Sequence, residues 1–135
     1  MVNQFLHPQE IEVFYIIPAL RRQLAIEMKK NGLKQKRIAE ILLIEDATVS
    51  QYIKKKRGNK ILFDEIVVKE VEKSAPLIKD KLSLLQEMQR LLRVIKETRE
   101  ICKIHKQISN IPHECAPELI NCFGGNYNGN ARLRY

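Results

Sequence analysis

Apolar residues recur at intervals of three and four along most of the chain, which is the spacing of amphipathic α-helices. Glycine and proline occur only five times each, so few positions interrupt this pattern. We therefore predict an all-α fold without sheet.

Prolines and glycines divide the pattern into helices. Pro8 can open a short apolar helix, and Pro18 is expected to break it while suiting the first turn of the next helix, over residues 18–31. Gly32 provides a stop for that helix. A further amphipathic helix is predicted over residues 61–74, where a Ser-Ala-Pro sequence ends it.

The segment from Leu33 to Gly58, LKQKRIAEILLIEDATVSQYIKKKRG, contains two short helical patterns joined by a tight connection. A helix-turn-helix needs apolar residues where its two helices press together and a small residue where they approach most closely. Counted from Gln35 as the first position, the apolar slots are filled by Ile38, Leu42, Ile44, Val49 and Tyr52, and the small one by Ala39. The segment therefore predicts a helix-turn-helix in the N-terminal bundle.

The second helix of this pair carries polar and small residues on its outer face, which would enter a major groove. These residues are Asp46, Ala47, Ser50, Gln51 and Lys54. Gln51 can pair with adenine N6 and N7, Ala47 can meet a thymine methyl, and Asp46 could accept from cytosine N4.

A basic run leaves the second helix. It consists of Lys54, Lys55, Lys56, Arg57 and Lys60. Such a run can contact phosphates and give affinity without sequence information. The alternative is a solvated charge run that stabilises a helix C-terminus and binds nothing.

From Val13 to Gly58 the chain, VFYIIPALRRQLAIEMKKNGLKQKRIAEILLIEDATVSQYIKKKRG, resembles the Xre/Cro-like helix-turn-helix transcriptional regulators. The likeness is to an archaeal branch in which a long C-terminal helix leads into a cysteine cluster, and it covers residues 10–75 best. It implies that Gln35 contacts the DNA backbone. Two features depart from the family pattern: Leu43 stands where many members have glycine, which tolerates positive φ, and Glu45 with Asp46 would face phosphates. We expect Leu43 to reshape the turn slightly.

Beyond Pro76 a single helical pattern continues to about Ile108. Its stripe comprises Leu77, Leu84, Leu85, Met88, Leu91, Leu92 and Ile95. Such a stripe is typical of a long helix that packs against a partner helix, so we predict a homodimer through residues 77–108. The predicted organisation is a helix-turn-helix domain over residues 1–75, a long dimerisation helix with a Cys/His-containing end over 76–122, and a disordered tail over 123–135.

Candidate metal ligands lie between Ile101 and Cys122, in ICKIHKQISNIPHECAPELINC. Cys102 and His105 are three residues apart on one helix, and Cys115 and Cys122 follow a proline-containing turn. Four such ligands can close a tetrahedral zinc site or hold an iron–sulfur cluster, with His113 as a rival fourth ligand. The alternatives are that the cysteines are buried core thiols with a histidine at a polar edge, or that they form a redox-active pair.

Charge and composition narrow the class of protein. The formal net charge is +8, and residues 1–60 carry 12 basic and 6 acidic side chains, so the positive field belongs to the first half and favours a polyanionic partner. A length of 135 residues suits one domain. We expect a cytoplasmic protein without a membrane partner, because no apolar run approaches the ~18 residues needed to cross a bilayer and three cysteines argue against a secreted disulfide framework.

The sequence contains no nucleophile elbow, glycine-rich phosphate loop or distinctive carboxylate pair, so we do not expect an enzyme. The favoured function is a dimeric, sequence-specific regulator of transcription that binds double-stranded DNA and whose cysteines could report metal, iron–sulfur or redox state. The alternative is a protein-interaction module, antitoxin-like or an adaptor, that uses the helix-turn-helix as scaffold. Only the regulator requires strong salt dependence and a preference among duplex sequences.

Overall fold

A computed structural model of the chain describes residues 5–54, 61–116 and 122. The α-helices within these ranges are α1 (Pro8–Ile11), α2 (Ile17–Lys30), α3 (Gln35–Leu42), α4 (Asp46–Ile53), α5 (Glu65–Ser74), α6 (Lys81–Glu97) and α7 (Glu100–Ile108). The described residues contain no strand, which confirms the all-α prediction for this part of the chain. None of these helices combines the length and the apolarity needed to cross a bilayer.

The N-terminal helix continues through Pro18, so the predicted break at this residue is wrong. A π-helical turn, Glu12–Ile16, joins α1 to α2, and Pro18 lies in the first turn of α2. Proline lacks an N–H and its ring crowds the carbonyl four residues earlier. The wider π turn just before it accommodates both effects, because its hydrogen bonds skip one residue more than those of an α-helix.

Two further helix boundaries were predicted: the end of α2 is confirmed, and the start of α5 lies later in the chain than predicted. Gly32 adopts φ +91° and ends α2 as expected, with its N–H donating to the Lys29 carbonyl at 3.0 Å. Helix α5 begins at Glu65 rather than at residue 61, because the Asp64 side chain accepts from the Glu65 N–H at 3.0 Å and caps the helix there.

The predicted single helix from Pro76 to Ile108 is divided, which corrects that expectation. A 3₁₀ turn, Ala75–Leu77, precedes α6, and Arg99 adopts a left-handed conformation with φ 60° between α6 and α7. Because of the left-handed turn at Arg99, helix α7 packs against α1. This contact brings the N-terminal and C-terminal parts of the described chain together.

The apolar stripe of α6 is mostly covered by the chain's own core. Leu91, Leu92 and Ile95 are buried there, whereas Leu82 and Leu85, near the start of the helix, are 65% and 62% exposed. Helices α3 and α5 pack on α6, so residues on both sides of the predicted boundary at 75/76 share one core. The predicted disordered tail, 123–135, lies outside the described residues.

Candidate nucleic-acid interface

Helices α3 and α4 are eight residues each, packed on each other and joined by a three-residue turn. The apolar and small residues that were predicted to lie between the two helices face inwards. Ile38, Ala39, Leu42, Val49 and Tyr52 are buried, and Ile44 is half-buried against the same core. The inner side of the helix pair is therefore packed into the core. This packing holds the outer side of the pair at the surface.

Leu43 ends α3 in the left-handed conformation, with φ 56° and ψ 43°. The Ile44 N–H donates to the Ala39 carbonyl at 3.1 Å, a bond typical of a left-handed helix end. The turn thus keeps the geometry that glycine would give it, contrary to the expected reshaping, and the Leu43 backbone bears a cost of about 1–2 kcal/mol. Its side chain is 55% exposed, so packing of the side chain does little to offset this backbone cost.

The Gln35 side chain connects the first turns of the two helices. Its Nε2 donates to the Asp46 Oδ1 at 3.0 Å and to the Asp46 main-chain oxygen at 3.2 Å. One Asp46 carboxylate oxygen is therefore occupied, and the orientation of α4 relative to α3 is set in part by this amide.

The outer face of α4 reaches the surface at every predicted position. Asp46, Ala47 and Lys54 are exposed, and Ser50 and Gln51 are half-buried. They lie on the side of α4 opposite the buried Val49 and Tyr52, as helical spacing requires. The predicted phosphate contacts Lys55, Lys56, Arg57 and Lys60 lie outside the described residues.

Positive charge around α2–α4 is largely unneutralised. Within residues 5–54, ion pairs form at Lys30 and Arg37. No carboxylate of the described chain pairs with Arg21, Arg22, Lys29, Lys34, Lys36 or Lys54. In the C-terminal half, ion pairs form at Lys69, Lys73, Arg90, Lys96 and Lys103, whereas Lys79, Lys81, Arg93 and Lys106 have no carboxylate partner within the described residues.

Two of these unpaired lysines were missed as candidate contacts by the sequence analysis. Lys34 and Lys36 are exposed on either side of Gln35, at the start of α3. Their position beside Gln35, the residue that the family resemblance implies as a backbone contact, was the available signal.

The predicted metal ligands are not assembled into a site by the described residues. His105 is buried, and its Nε2 lies 2.6 Å from the Leu6 carbonyl oxygen, while the Leu6 N–H donates to the Ser109 Oγ at 2.7 Å. Among the residues that the structure describes, no three His, Cys, Asp or Glu side chains are grouped to hold a metal ion. His105 therefore fastens the N-terminal segment to α7, and the rival His113 is exposed beside Glu114.

Cys102, Cys115 and Cys122 are half-buried free thiols. Burial raises the pKa of Cys102, and a charge on nearby Cys115 raises it further. Burial also raises the pKa of Cys122, with Cys115 and Cys102 acting in the same direction. Cys102 and Cys122 are therefore held in the protonated form more firmly than a free thiol in the metal-free protein.

No protein-family model, curated protein or solved structure matches this chain. The likeness to Xre/Cro-like regulators rests on the residues quoted above. Any function must accordingly be inferred from the packing, exposure and charge of the α2–α4 region.

Proposed function

We propose that the protein is a sequence-specific transcriptional regulator that binds double-stranded DNA through α3 and α4, acting as a helix-turn-helix. In this proposal α3 is the scaffold helix and α4 enters the major groove. The observation that supports it most is the contrast between the two sides of α4. Its inner side is buried against the core, while its outer side is accessible, with Lys54 at its C-terminal end and Lys34 and Lys36 at the start of α3, none of which pairs with a carboxylate of the described chain.

The exposed side chains of α4 supply the chemistry of base recognition. Gln51 has the donor and acceptor needed for a bidentate pair with adenine, and Ala47 presents a methyl group to thymine. Asp46 has a smaller part in base reading, because Gln35 already occupies one of its carboxylate oxygens. Lys54 and the basic run after it supply phosphate contacts, with Lys34 and Lys36 at the other end of the motif.

A homodimer is part of this proposal. Helix-turn-helix proteins commonly bind two half-sites one helical turn apart, so that a symmetric dimer matches a symmetric operator. Because Leu91 and Ile95 are internal, the candidates for dimer contact are the exposed Leu82 and Leu85. Sedimentation should show a dimer that Leu82→Asp with Leu85→Asp converts to folded monomers, and a monomeric parent at micromolar concentration would remove the dimer from the proposal.

A cofactor is not needed for this mechanism. Zinc or an iron–sulfur cluster would supply a sensing function, but the described side chains form no group of three or more His, Cys, Asp or Glu that could hold either, and His105 Nε2 is hydrogen-bonded to Leu6. We derive no step through a metal. The protein-interaction alternative gains no specific support from the described residues.

The function is tested by selecting duplexes from a random pool and measuring their affinity by fluorescence anisotropy at several salt concentrations. We expect one consensus sequence, bound roughly 10³-fold or more tightly than random duplex, with affinity falling steeply as salt rises. Binding that is equal for all sequences, or absent, would favour a scaffold role for α3 and α4.

A further inference from the structure

A groove lies beside the proposed recognition helix, between α2 and α4. It has a volume of about 540 Å³ and is lined by Arg21, Leu43, Ile44, Glu45, Thr48 and Tyr52. Thr48 is three residues before Gln51 and so lies about 60° from it around the helix. The groove therefore borders the outer face of α4 on the side towards α2.

Arg21 gives this groove an available positive charge. It is exposed, and neither a hydrogen bond nor an ion pair joins it to any other residue of the described chain, although Glu45 lines the same groove. Its position is fixed by α2, whose neighbouring Leu20 and Leu24 are fully buried. Because Arg21 projects from a rigid helix, binding of an anion to its guanidinium does not require a loop to become ordered.

Arg22, the next residue along α2, adds a second charge that the described chain leaves uncompensated. Its side chain is buried, with only 8% of the residue exposed, and its Nε has no hydrogen-bond partner. Only this Nε is buried without a partner, and Arg22 does not line the groove, so its charge adds a longer-range attraction for an anion near this part of α2.

We infer that this groove receives a phosphate of the DNA backbone and that Arg21 is its binding residue. The inference rests on the proposed function and extends it, because it assigns a backbone contact to α2, outside the helix-turn-helix and the basic run. When α4 enters a major groove, the phosphates bordering that groove lie along its flanks, and Arg21 lines the groove on one flank of α4. A guanidinium suits this ligand because it can donate two parallel hydrogen bonds to phosphate oxygens.

Glu45 weakens the proposed contact between Arg21 and the phosphate. Its carboxylate lines the groove but makes no side-chain bond to the start of α4. It therefore repels the incoming phosphate, and neutralising it should strengthen binding to every duplex.

The test measures anisotropy of the full chain with the selected duplex and with a random duplex over a range of salt. Arg21→Ala should weaken both duplexes by the same factor, about tenfold, and lower the slope of log affinity against log salt by about one unit. Arg21→Lys should restore the slope but only part of the affinity, since an ammonium lacks the two-pronged geometry. Glu45→Gln should strengthen both.

The matched control is Arg93→Ala, which removes the same charge from an exposed position on α6 and should change neither affinity nor slope. All variants should keep the parent's thermal midpoint. The inference is overturned if Arg21→Ala behaves like Arg93→Ala while the parent still prefers one sequence, a result that leaves the proposed function intact. It is also overturned if Arg21→Ala weakens only the selected duplex. A parent without any sequence preference would defeat the proposed function itself, and the inference with it.

Discussion

The Gln35 side-chain amide donates to both the carboxylate and the main-chain oxygen of Asp46, at 3.0 and 3.2 Å, and so ties the start of the scaffold helix to the start of the proposed recognition helix. This link is independent of the apolar packing below it. In the proposed function, Gln35 would act on DNA binding through the position of α4, besides any contact of its own with the backbone.

We predict that Gln35→Ala costs about 0.5–1.5 kcal/mol of unfolding free energy, the usual net value of a partly exposed hydrogen bond. It should also weaken the selected duplex more than a random one, because a displaced α4 loses its base contacts first. Gln35→Glu should be worse, since it places a second carboxylate against Asp46. Denaturant unfolding and anisotropy measure the two effects, and an unchanged affinity for Gln35→Ala would remove its positioning role.

Leu43 offers a test of backbone strain. Leu43→Gly should stabilise the protein by about 0.5–1 kcal/mol, because relief of the left-handed strain exceeds the greater chain entropy of glycine in the unfolded state. Leu43→Ala keeps the strain and should not stabilise. The reverse change, Gly32→Ala, should destabilise through the backbone alone, since a Cβ there meets nothing within 4 Å. Denaturation midpoints compare the three variants, and a destabilised Leu43→Gly would refute the strain argument.

Two carboxylates make stability dependent on acid pH. The hydrogen bond from Lys73, followed by that from Arg90, lowers the pKa of Glu70 below its ordinary value of 4.5. Bonds from the Ser83 backbone and side chain lower the pKa of Asp80 below 3.8. A lowered folded-state pKa gives stability that is present above the ordinary pKa and is lost as pH falls through the folded one.

Unfolding free energy should therefore decline as pH falls below about 4.5, and Asp80→Asn should make the decline shallower while lowering stability at neutral pH. Urea unfolding from pH 7 to pH 2 measures this. A decline of the same steepness in Asp80→Asn would show that other groups are responsible.

His105 distinguishes a structural role from metal ligation. His105→Ala removes the hydrogen bond to the Leu6 carbonyl and should cost about 1–3 kcal/mol of unfolding free energy, because that oxygen then keeps only the long 3.5 Å bond from the Ser109 Oγ. The cost should be the same with and without a chelator, in protein purified without oxygen. Loss of bound zinc or iron from the variant, or a parent that a chelator destabilises, would instead support the ligand set Cys102, His105, Cys115 and Cys122.

The pairing of α3 with α4 was predictable because it depends on local spacing. Ile38, Val49 and Tyr52 face inwards wherever two short helices pack across a tight turn. The break at Arg99 was not predictable in this way, since neither Thr98 nor Arg99 is a residue that usually interrupts a helix.

Tertiary contacts account for the other differences. An apolar stripe shows that a helix face is buried but not which neighbour buries it, so Leu91 and Ile95 suggested a partner chain although they lie in the chain's own core. The groove beside α4 could not be predicted from the sequence either. Arg21 and Thr48 are 27 positions apart and line the same groove only because α2 packs on α4.

The most direct test of DNA reading by α4 compares Gln51→Ala with Lys54→Ala on the selected duplex, on its single-base variants and on a random duplex. We predict that Gln51→Ala relaxes preference at one base position, at a cost of about 1–3 kcal/mol on the selected sequence, and leaves random duplex unaffected. Lys54→Ala should weaken all duplexes alike and reduce the salt slope by about one unit. If both variants lose affinity equally on selected and random duplexes, α4 does not read sequence through Gln51.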